Sequence, residues 1–478
     1  MTDVVDETET EGLSKGLKQR HMTMIAIGGT IGAGLFVGSG TIIAAAGPAA
    51  LLSFLIAGIL ITLVMRMLGE MAVARPTIGS FYEYAREGLG DWAGFSIGWL
   101  YWYYWVIVVA VEAVAGATVL GKWLPGAPLW LTALILLALM TATNLISVAA
   151  FGEFEYWFSS IKVAAIVVFI LVGILWITGV LPDSQPGLAN LTQVGGFVPN
   201  GWGEVISKAV PAVAFFVGVE LVTLAAAESA EPGRMVARAT NAVVARVLLF
   251  YVGSMFVIVT VMAWNTKGVQ TSPFVSVLET IGIPGAGDLM NAIILTAVLS
   301  SLNSGLYATS RMLFALTQRG HAPKALVKTN SRGVPVRAIL IGTVVALISI
   351  GVSYVSPNQV FAFLISSYGA LALFVYLLIA LSQVRIRRRI ERENPEALTF
   401  KMWLFPWLSY LTIAAMVAVI LAMFVTPETR TQAALSSLSV VVILTAYAIM
   451  VTMRKRRGLP ADGSGADSAP EHRGRGSE

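Results

Sequence analysis

The stretch IAIGGTIGAGLFVGSG, residues 25–40, is apolar enough to enter a bilayer yet too rich in glycine to remain one regular helix. Gly28, Gly29, Gly32, Gly34, Gly38 and Gly40 crowd into it, and each helical glycine costs about 1 kcal/mol relative to alanine. A second stretch, VPAVAFFVGVE, residues 210–220, sets Pro211, Gly218 and Glu220 inside another apolar run. Interrupted spans at matching places in two halves of a chain point to repeats with a binding site between them. An unwound turn frees N–H groups that hydrocarbon cannot satisfy, whereas a carboxylate can. A half-helix starting near Gly34 would add a partial positive charge. The competing reading is close helix packing, because residues 32–38 also present small side chains on one face. A dinucleotide site is excluded: the spacing is not G-x-G-x-x-G, and no strand leads into it.

Composition says which solvent the chain meets. Of 478 residues, 56% are hydrophobic and only 12% charged, whereas a soluble chain carries about a quarter charged residues. Mean hydropathy is +0.78. Lipid-facing helices need no polar outer face, so an all-α membrane protein is expected. There is no cysteine, hence no disulfide or thiolate metal site, and His21, His321 and His472 are too dispersed to form a metal set. No metal or cofactor is expected. A net charge of +5 invites a nucleic-acid reading, but the positions of the charges argue for membrane topology.

Apolar runs of bilayer length, about 20 residues each, fall near 22–46, 49–72, 92–121, 129–150, 154–180, 203–227, 241–264, 286–315, 335–356, 360–382, 403–426 and 432–453. The expectation is therefore about twelve transmembrane helices. They divide into a tail (1–21), a first repeat (22–180), a second repeat (203–382), two added spans (403–453) and a disordered tail (454–478). The first apolar run is too long for a signal peptide and is expected to be retained. With both termini cytoplasmic, only Lys122, Lys267 and Arg430 of the 32 basic residues fall in the opposite loops, and Lys162 and Lys208 lie within spans. That asymmetry orients the chain. The acidic segment 152–155 reads as a short cytoplasmic connection. The cluster from Arg385 to Arg392 reads as a contact for anionic lipid headgroups.

Ionisable residues inside spans are functional candidates. Lys162 follows Glu153 by nine residues, roughly 13 Å along a helix. A lysine that loses its proton in one conformation is a coupling device; the alternative is a permanent charge held by backbone carbonyls. Glu112 follows the aromatic run 99–105 and is a second coupling candidate, as acceptor for a substrate ammonium or as an internal ion-pair partner. Glu220 sits inside the interrupted sixth span. The aromatic run itself reads as packing and interface anchoring.

These residues lie in motifs with a known likeness. LKQRHMTMIAIGGTIGAGLFVGSG (17–40), GEFEYWFSSIKV (152–163), GGFVPNG (195–201), VELVTLAAAESAEP (219–232), RATNAVVARVLLFY (238–251), LNSGLYATSRMLFAL (302–316), FLISSYGALALFVYL (363–377) and MWLFPWL (402–408) resemble the amino acid/polyamine/organocation superfamily. Within it the chain is most similar to bacterial amino acid permeases, and among those to 4-aminobutyrate (GABA) permeases. The resemblance implies a five-plus-five inverted repeat with broken helices 1 and 6, proton-coupled uptake and alternating access. It places the substrate carboxylate on the backbone of Thr30, Ile31, Gly32, Ala33 and Gly34, and Lys162 where sodium-coupled relatives hold an ion. Phe215, Phe216 and Glu220 would flank the side chain and amine, with Ser366 and Ser367 nearby. The chain departs from the GABA permeases at Ser301, where they carry cysteine, and at Pro211.

The expectation is a proton-coupled symporter in a bacterial inner membrane that imports a small amino acid, first 4-aminobutyrate. The same machine for proline, aromatic or other neutral amino acids, or an exchanger, stays open. A non-transporting sensor would bring a soluble signalling domain, and an enzyme a catalytic constellation such as H-E-x-x-H; neither pattern is found. The expected partners are the substrate, protons and lipid, without nucleic acid.

Overall fold

The computed structural model describes residues 17–28, 31–32, 34–77, 79–184, 187–226, 232–326, 328–355 and 370–457. Their regular structure is helical throughout. In chain order come α1 (Gln19–Gly28), a π turn (Gly34–Gly38) leading into α2 (Ser39–Ala46), α3 (Ala50–Ala74), α4 (Phe81–Leu89), α5 (Asp91–Leu120), α6 (Leu129–Ile146), α7 (Val148–Ile177), α8 (Trp202–Ala214) and α9 (Leu221–Ala225). Then follow α10 (Pro232–Arg246), a π turn (Val247–Gly253), α11 (Ser254–Val261), α12 (Lys267–Thr271), α13 (Pro273–Thr280), α14 (Ala286–Gln318), α15 (Val336–Val355), α16 (Leu371–Glu393), α17 (Trp407–Val425) and α18 (Pro427–Arg456).

Among the described residues, seven helical stretches are long and apolar enough to cross a membrane: Gly34–Ala74, Asp91–Leu120, Leu129–Ile146, Val148–Ile177, Ala286–Gln318, Trp407–Val425 and Thr429–Arg456. The protein is a multi-pass membrane protein. Several other expected spans are divided, so they fall short as single helices. The first is broken between Gly28 and Gly34, and the sixth leaves regular helix from Phe215 to Glu220. The seventh passes through the π turn Val247–Gly253.

The amphipathic α4 and the short α12 and α13 were not anticipated. Nor is 152–155 a connection: the chain turns at Ser147, whose Oγ accepts from Ala150 N at 3.0 Å, and α7 starts there.

α14 is the axis of the bundle, buried without interruption from Ser300 to Thr317. It packs along α5 and also against α6, α7 and α15. Small residues allow this approach: a side chain at Gly305 would meet Val109 and Trp105 of α5. The end of the bundle that holds the starts of α1 and α7 is rich in ion pairs, among them Arg20–Glu153 and Arg319–Glu83. The basic cluster of α16 is not all lipid-facing. Arg387 turns inward to Glu70 at 2.5 Å, and Gln383 Nε2 and Met402 N donate to the same carboxylate at 2.7 and 2.6 Å.

Candidate functional site

The two helix breaks face each other. At the first, Ile31 N closes on Gly28 O at 3.0 Å and the chain runs non-helical through Gly32 before the π turn at Gly34. At the second, successive i→i−3 bonds carry the chain from Ala212 to Val217, with Phe215 N on Ala212 O at 3.1 Å. Gly218 then turns with φ +106°, a conformation that a side chain would strain.

Between the breaks lies a cavity of about 110 Å³ lined by Gly32, Gly34, Tyr104, Trp105, Val108, Glu112, Ala214, Phe215, Val217 and Ser301. A Cβ on Gly32 would stand 2.6 Å from Ser301 Oγ and 3.3 Å from Glu112 Oε1. Glu112 Oε2 is buried with no hydrogen-bond partner among the described residues. A buried acceptor left open is costly, so this oxygen marks where a donor from the cavity would be held. A larger space of about 570 Å³ between α5 and α18 is lined by Phe95, Trp99, Leu438 and other chiefly apolar side chains. It touches neither break and gathers no group that could fix a zwitterion, so the smaller cavity is the candidate site.

Lys162 stands behind the first break, wholly buried. Its Nζ donates to Gly28 O at 2.6 Å and to Ser300 Oγ at 2.8 Å. Gly28 O is the carbonyl that also receives Ile31 N, so the lysine grips the chain where α1 ends.

The structure separates the residues expected at the site. Gly32, Gly34, Phe215 and Glu112 line the cavity. Ile31 is buried at the turn. Phe216 faces away and packs on Tyr251, ring centroids 4.1 Å apart. Glu220, expected beside the amine, is already occupied: Tyr101 OH and Tyr376 OH each donate to it at 2.9 Å, and Gly218 N reaches both oxygens at 3.1 Å. It fastens the second break to α5 and α16. Thr30, Ala33, Ser366 and Ser367 lie outside the described residues.

The chain matches the amino acid permease family from residue 21 to residue 460. It belongs to that family. Its relatives include a gamma-aminobutyric acid permease of Bacillus subtilis, 50% identical over 93% of this chain and 95% of the relative. The gamma-aminobutyric acid permease of Escherichia coli is 45% identical over 93% and 95%. An aromatic amino acid transport protein of Corynebacterium glutamicum is 41% identical over 88% and 92%.

Within this permease, reading the sequence missed Tyr104, Trp105, Val108 and Ser301 as lining residues. A signal was present. Tyr101, Trp105, Val108 and Glu112 recur at intervals of three and four, with Tyr104 beside Trp105, so they share one face of α5, and that face looks at the breaks. Tyr104 and Trp105 of the aromatic run are therefore cavity wall as well as packing. Glu155, read as a loop carboxylate, is buried in α7, where Ser159 Oγ and Ser300 Oγ donate to its Oε1 at 2.9 and 2.7 Å.

Proposed function

We propose that this permease imports a small zwitterionic amino acid, first 4-aminobutyrate, together with protons, by alternating access in a bacterial inner membrane. The observation that carries the reading is the cavity between the two breaks, with backbone at Gly32 and Gly34 on one wall and the open Oε2 of Glu112 on another. Two relatives that cover nearly the whole chain are named gamma-aminobutyric acid permeases, which favours that substrate over aromatic amino acids.

Ile31 N is committed to Gly28 O, so the substrate carboxylate is assigned to the amides of Gly32 and Gly34 within the segment from Thr30 to Gly34. The dipole of the half-helix beyond Gly34 supports an anion there. Glu112 takes the ammonium, and Phe215 covers the methylene chain. Glu220 holds the second break instead of contacting the amine. Ser366 and Ser367 remain assigned to the side-chain end.

Lys162 is the coupling group. Protonated, it holds Gly28 O and the substrate-competent break; deprotonated, it releases that carbonyl. The wider reading comprises twelve spans, a five-plus-five inverted repeat and both termini cytoplasmic, which puts the basic end of the bundle inside.

A competition panel against labelled 4-aminobutyrate uptake in right-side-out vesicles tests this function. 4-Aminobutyrate and close analogues should compete, while butylamine, which lacks the carboxylate, should not. Equal competition by proline or phenylalanine would move the substrate assignment. Uptake unaffected by collapse of the pH gradient would remove proton coupling.

A further inference from the structure

Two consecutive serines of α14 divide the surroundings of Lys162. Ser301 lines the cavity beside Glu112, whereas Ser300 faces Lys162 and Glu155. The hydroxyl of Ser300 accepts from Lys162 Nζ at 2.8 Å, and its single hydrogen points to Glu155 Oε1 at 2.7 Å. Lysine, serine and carboxylate thus form a directed chain of hydrogen bonds, and all three side chains are 0% exposed. Ser159 Oγ donates to the same carboxylate oxygen at 2.9 Å. Glu155 Oε2 is buried with no partner among the described residues, an open position for a proton.

Glu155 lies two helical turns nearer the start of α7 than Lys162, on the side of the basic end. One turn further stands Phe151, its ring stacked on Tyr307 with centroids 4.1 Å apart and planes within 6°. Both rings are buried. The other ionisable groups nearby are Glu112 on α5, within electrostatic range of Lys162, Tyr307 and Arg311 on α14, and His21, Arg20 and Glu153 beyond the stack.

We propose that Glu155 is the proton acceptor through which Lys162 discharges toward the cytoplasm, with Ser300 as the relay. This rests on the proton-coupled reading given above. In the step, an N–H bond of the Lys162 ammonium breaks as Ser300 Oγ takes that proton. The O–H proton of Ser300 passes at the same time to the Glu155 carboxylate. An ammonium and a carboxylate become an amine and a carboxylic acid; no electrons move and no co-reactant is consumed. The ion pair vanishes inside the protein, so the step exposes no uncompensated buried charge. When the Phe151–Tyr307 stack parts, Glu155 gives the proton to cytoplasmic water, and Lys162 is reloaded from the opposite side with the next substrate.

The test uses the purified full-length permease in proteoliposomes with labelled 4-aminobutyrate. It compares counterflow at fixed pH with accumulation driven by an imposed pH gradient. Glu155→Gln should keep counterflow within about threefold of wild type and lose more than tenfold of gradient-driven accumulation. Ser300→Ala, which removes only the relay oxygen, should do the same and covers the case in which Glu155→Gln fails to fold. Accumulation at the wild-type level in Ser300→Ala or Glu155→Gln, while Lys162→Met has lost it, would overturn the relay and leave lysine coupling standing. An equal fall of counterflow and accumulation would also overturn it, because that marks a structural carboxylate. Wild-type accumulation in Lys162→Met would instead refute proton coupling through the lysine itself.

Discussion

The ring of Phe215 lies against the backbone of Gly34: a Cβ at Gly34 would stand 2.6 Å from Phe215 Cδ1. Gly38 meets the same ring, with a Cβ there 2.7 Å from Cζ. One aromatic side chain from the second break is thus seated on the first. Tyr251 OH donates to Phe215 O at 2.8 Å and holds the backbone beneath that ring. The two breaks touch through this ring.

Adding a methyl group at Gly34 should therefore push the Phe215 ring into the cavity. We expect Gly34→Ala to lower 4-aminobutyrate affinity by more than tenfold, about 1.4 kcal/mol or more, with the protein still inserted at normal levels. Equilibrium binding by scintillation proximity on purified protein measures this. Unchanged affinity would mean that the ring moves freely and that the breaks are not joined through it.

Glu112 is the second recognition group proposed for the substrate. Glu112→Gln keeps the side-chain volume and removes the charge that the substrate ammonium would meet. Charge-assisted hydrogen bonds contribute about 1.5–3 kcal/mol, so affinity for 4-aminobutyrate should fall about tenfold to a hundredfold. Butyrate, which has no amine, should be a poor competitor of wild type and no poorer in the variant. A parallel loss for both compounds would place Glu112 in the architecture of the cavity and outside substrate contact.

Lys162→Met and Lys162→Arg separate two roles for the lysine. Methionine preserves much of the stem but cannot titrate or hold Gly28 O. It should abolish pH-gradient-driven accumulation and flatten the pH dependence of transport, and the substrate binding that remains on backbone amides should be weaker than in wild type and independent of pH. Arginine keeps a permanent charge and should likewise fail to accumulate, because a guanidinium does not release its proton in this range. Full accumulation with arginine would show that a fixed charge suffices. Uptake into proteoliposomes with and without an inward proton gradient decides between them.

The breaks were legible because glycine and proline act locally, within a few residues of where they stand. Residues 25–40 alone disfavour one regular helix and imply that a half-helix starts near Gly34; the structure has α1 end at Gly28 and a π turn begin at Gly34. Side-chain roles depend on partners far away in the chain, and there local pattern fails. Glu220 reads as a site carboxylate until Tyr101 and Tyr376 are seen to occupy it. Glu155 reads as a loop residue because it closes the acidic segment 152–155, whose Glu153 is half-exposed and pairs with Arg20. In the fold Glu155 is buried, and Ser300 on another helix donates to it together with Ser159. An apolar run reports its solvent but not whether its backbone stays helical, so among the described residues seven stretches are long and apolar enough to cross a membrane as single helices.

His321, in the connection after α14, carries the last expectation. It is buried, its Nδ1 lies 2.8 Å from Tyr82 OH, and Phe95 packs edge-on to its ring. Trp99 Nε1 donates to its backbone carbonyl at 3.3 Å. Burial first, then the nearby charges of Arg454, Arg86 and Arg319, hold the imidazole down from its ordinary 6.5 to about 4. A protonated ring would carry N–H on both nitrogens, and Nε2 has no acceptor among the described residues. The folded value lies below the unfolded one, so the unfolded chain binds more protons in the interval between them. The contribution of His321 to stability is thus fully present above the unfolded value and is lost as pH falls from about 6.5 toward 4, with a slope of up to about 1.4 kcal/mol per pH unit. The variant His321→Gln retains a polar partner for Tyr82 and does not titrate. It should be less stable than wild type at pH 7, by about 1 kcal/mol, yet lose less on acidification, so that the two stability profiles cross between about pH 5 and 6 and the variant is the more stable near pH 4. Thermal unfolding of both proteins in detergent across that range measures the difference, and carboxylate titrations common to the two cancel. Parallel melting-temperature profiles would show that His321 binds its proton as readily in the fold as in the unfolded chain.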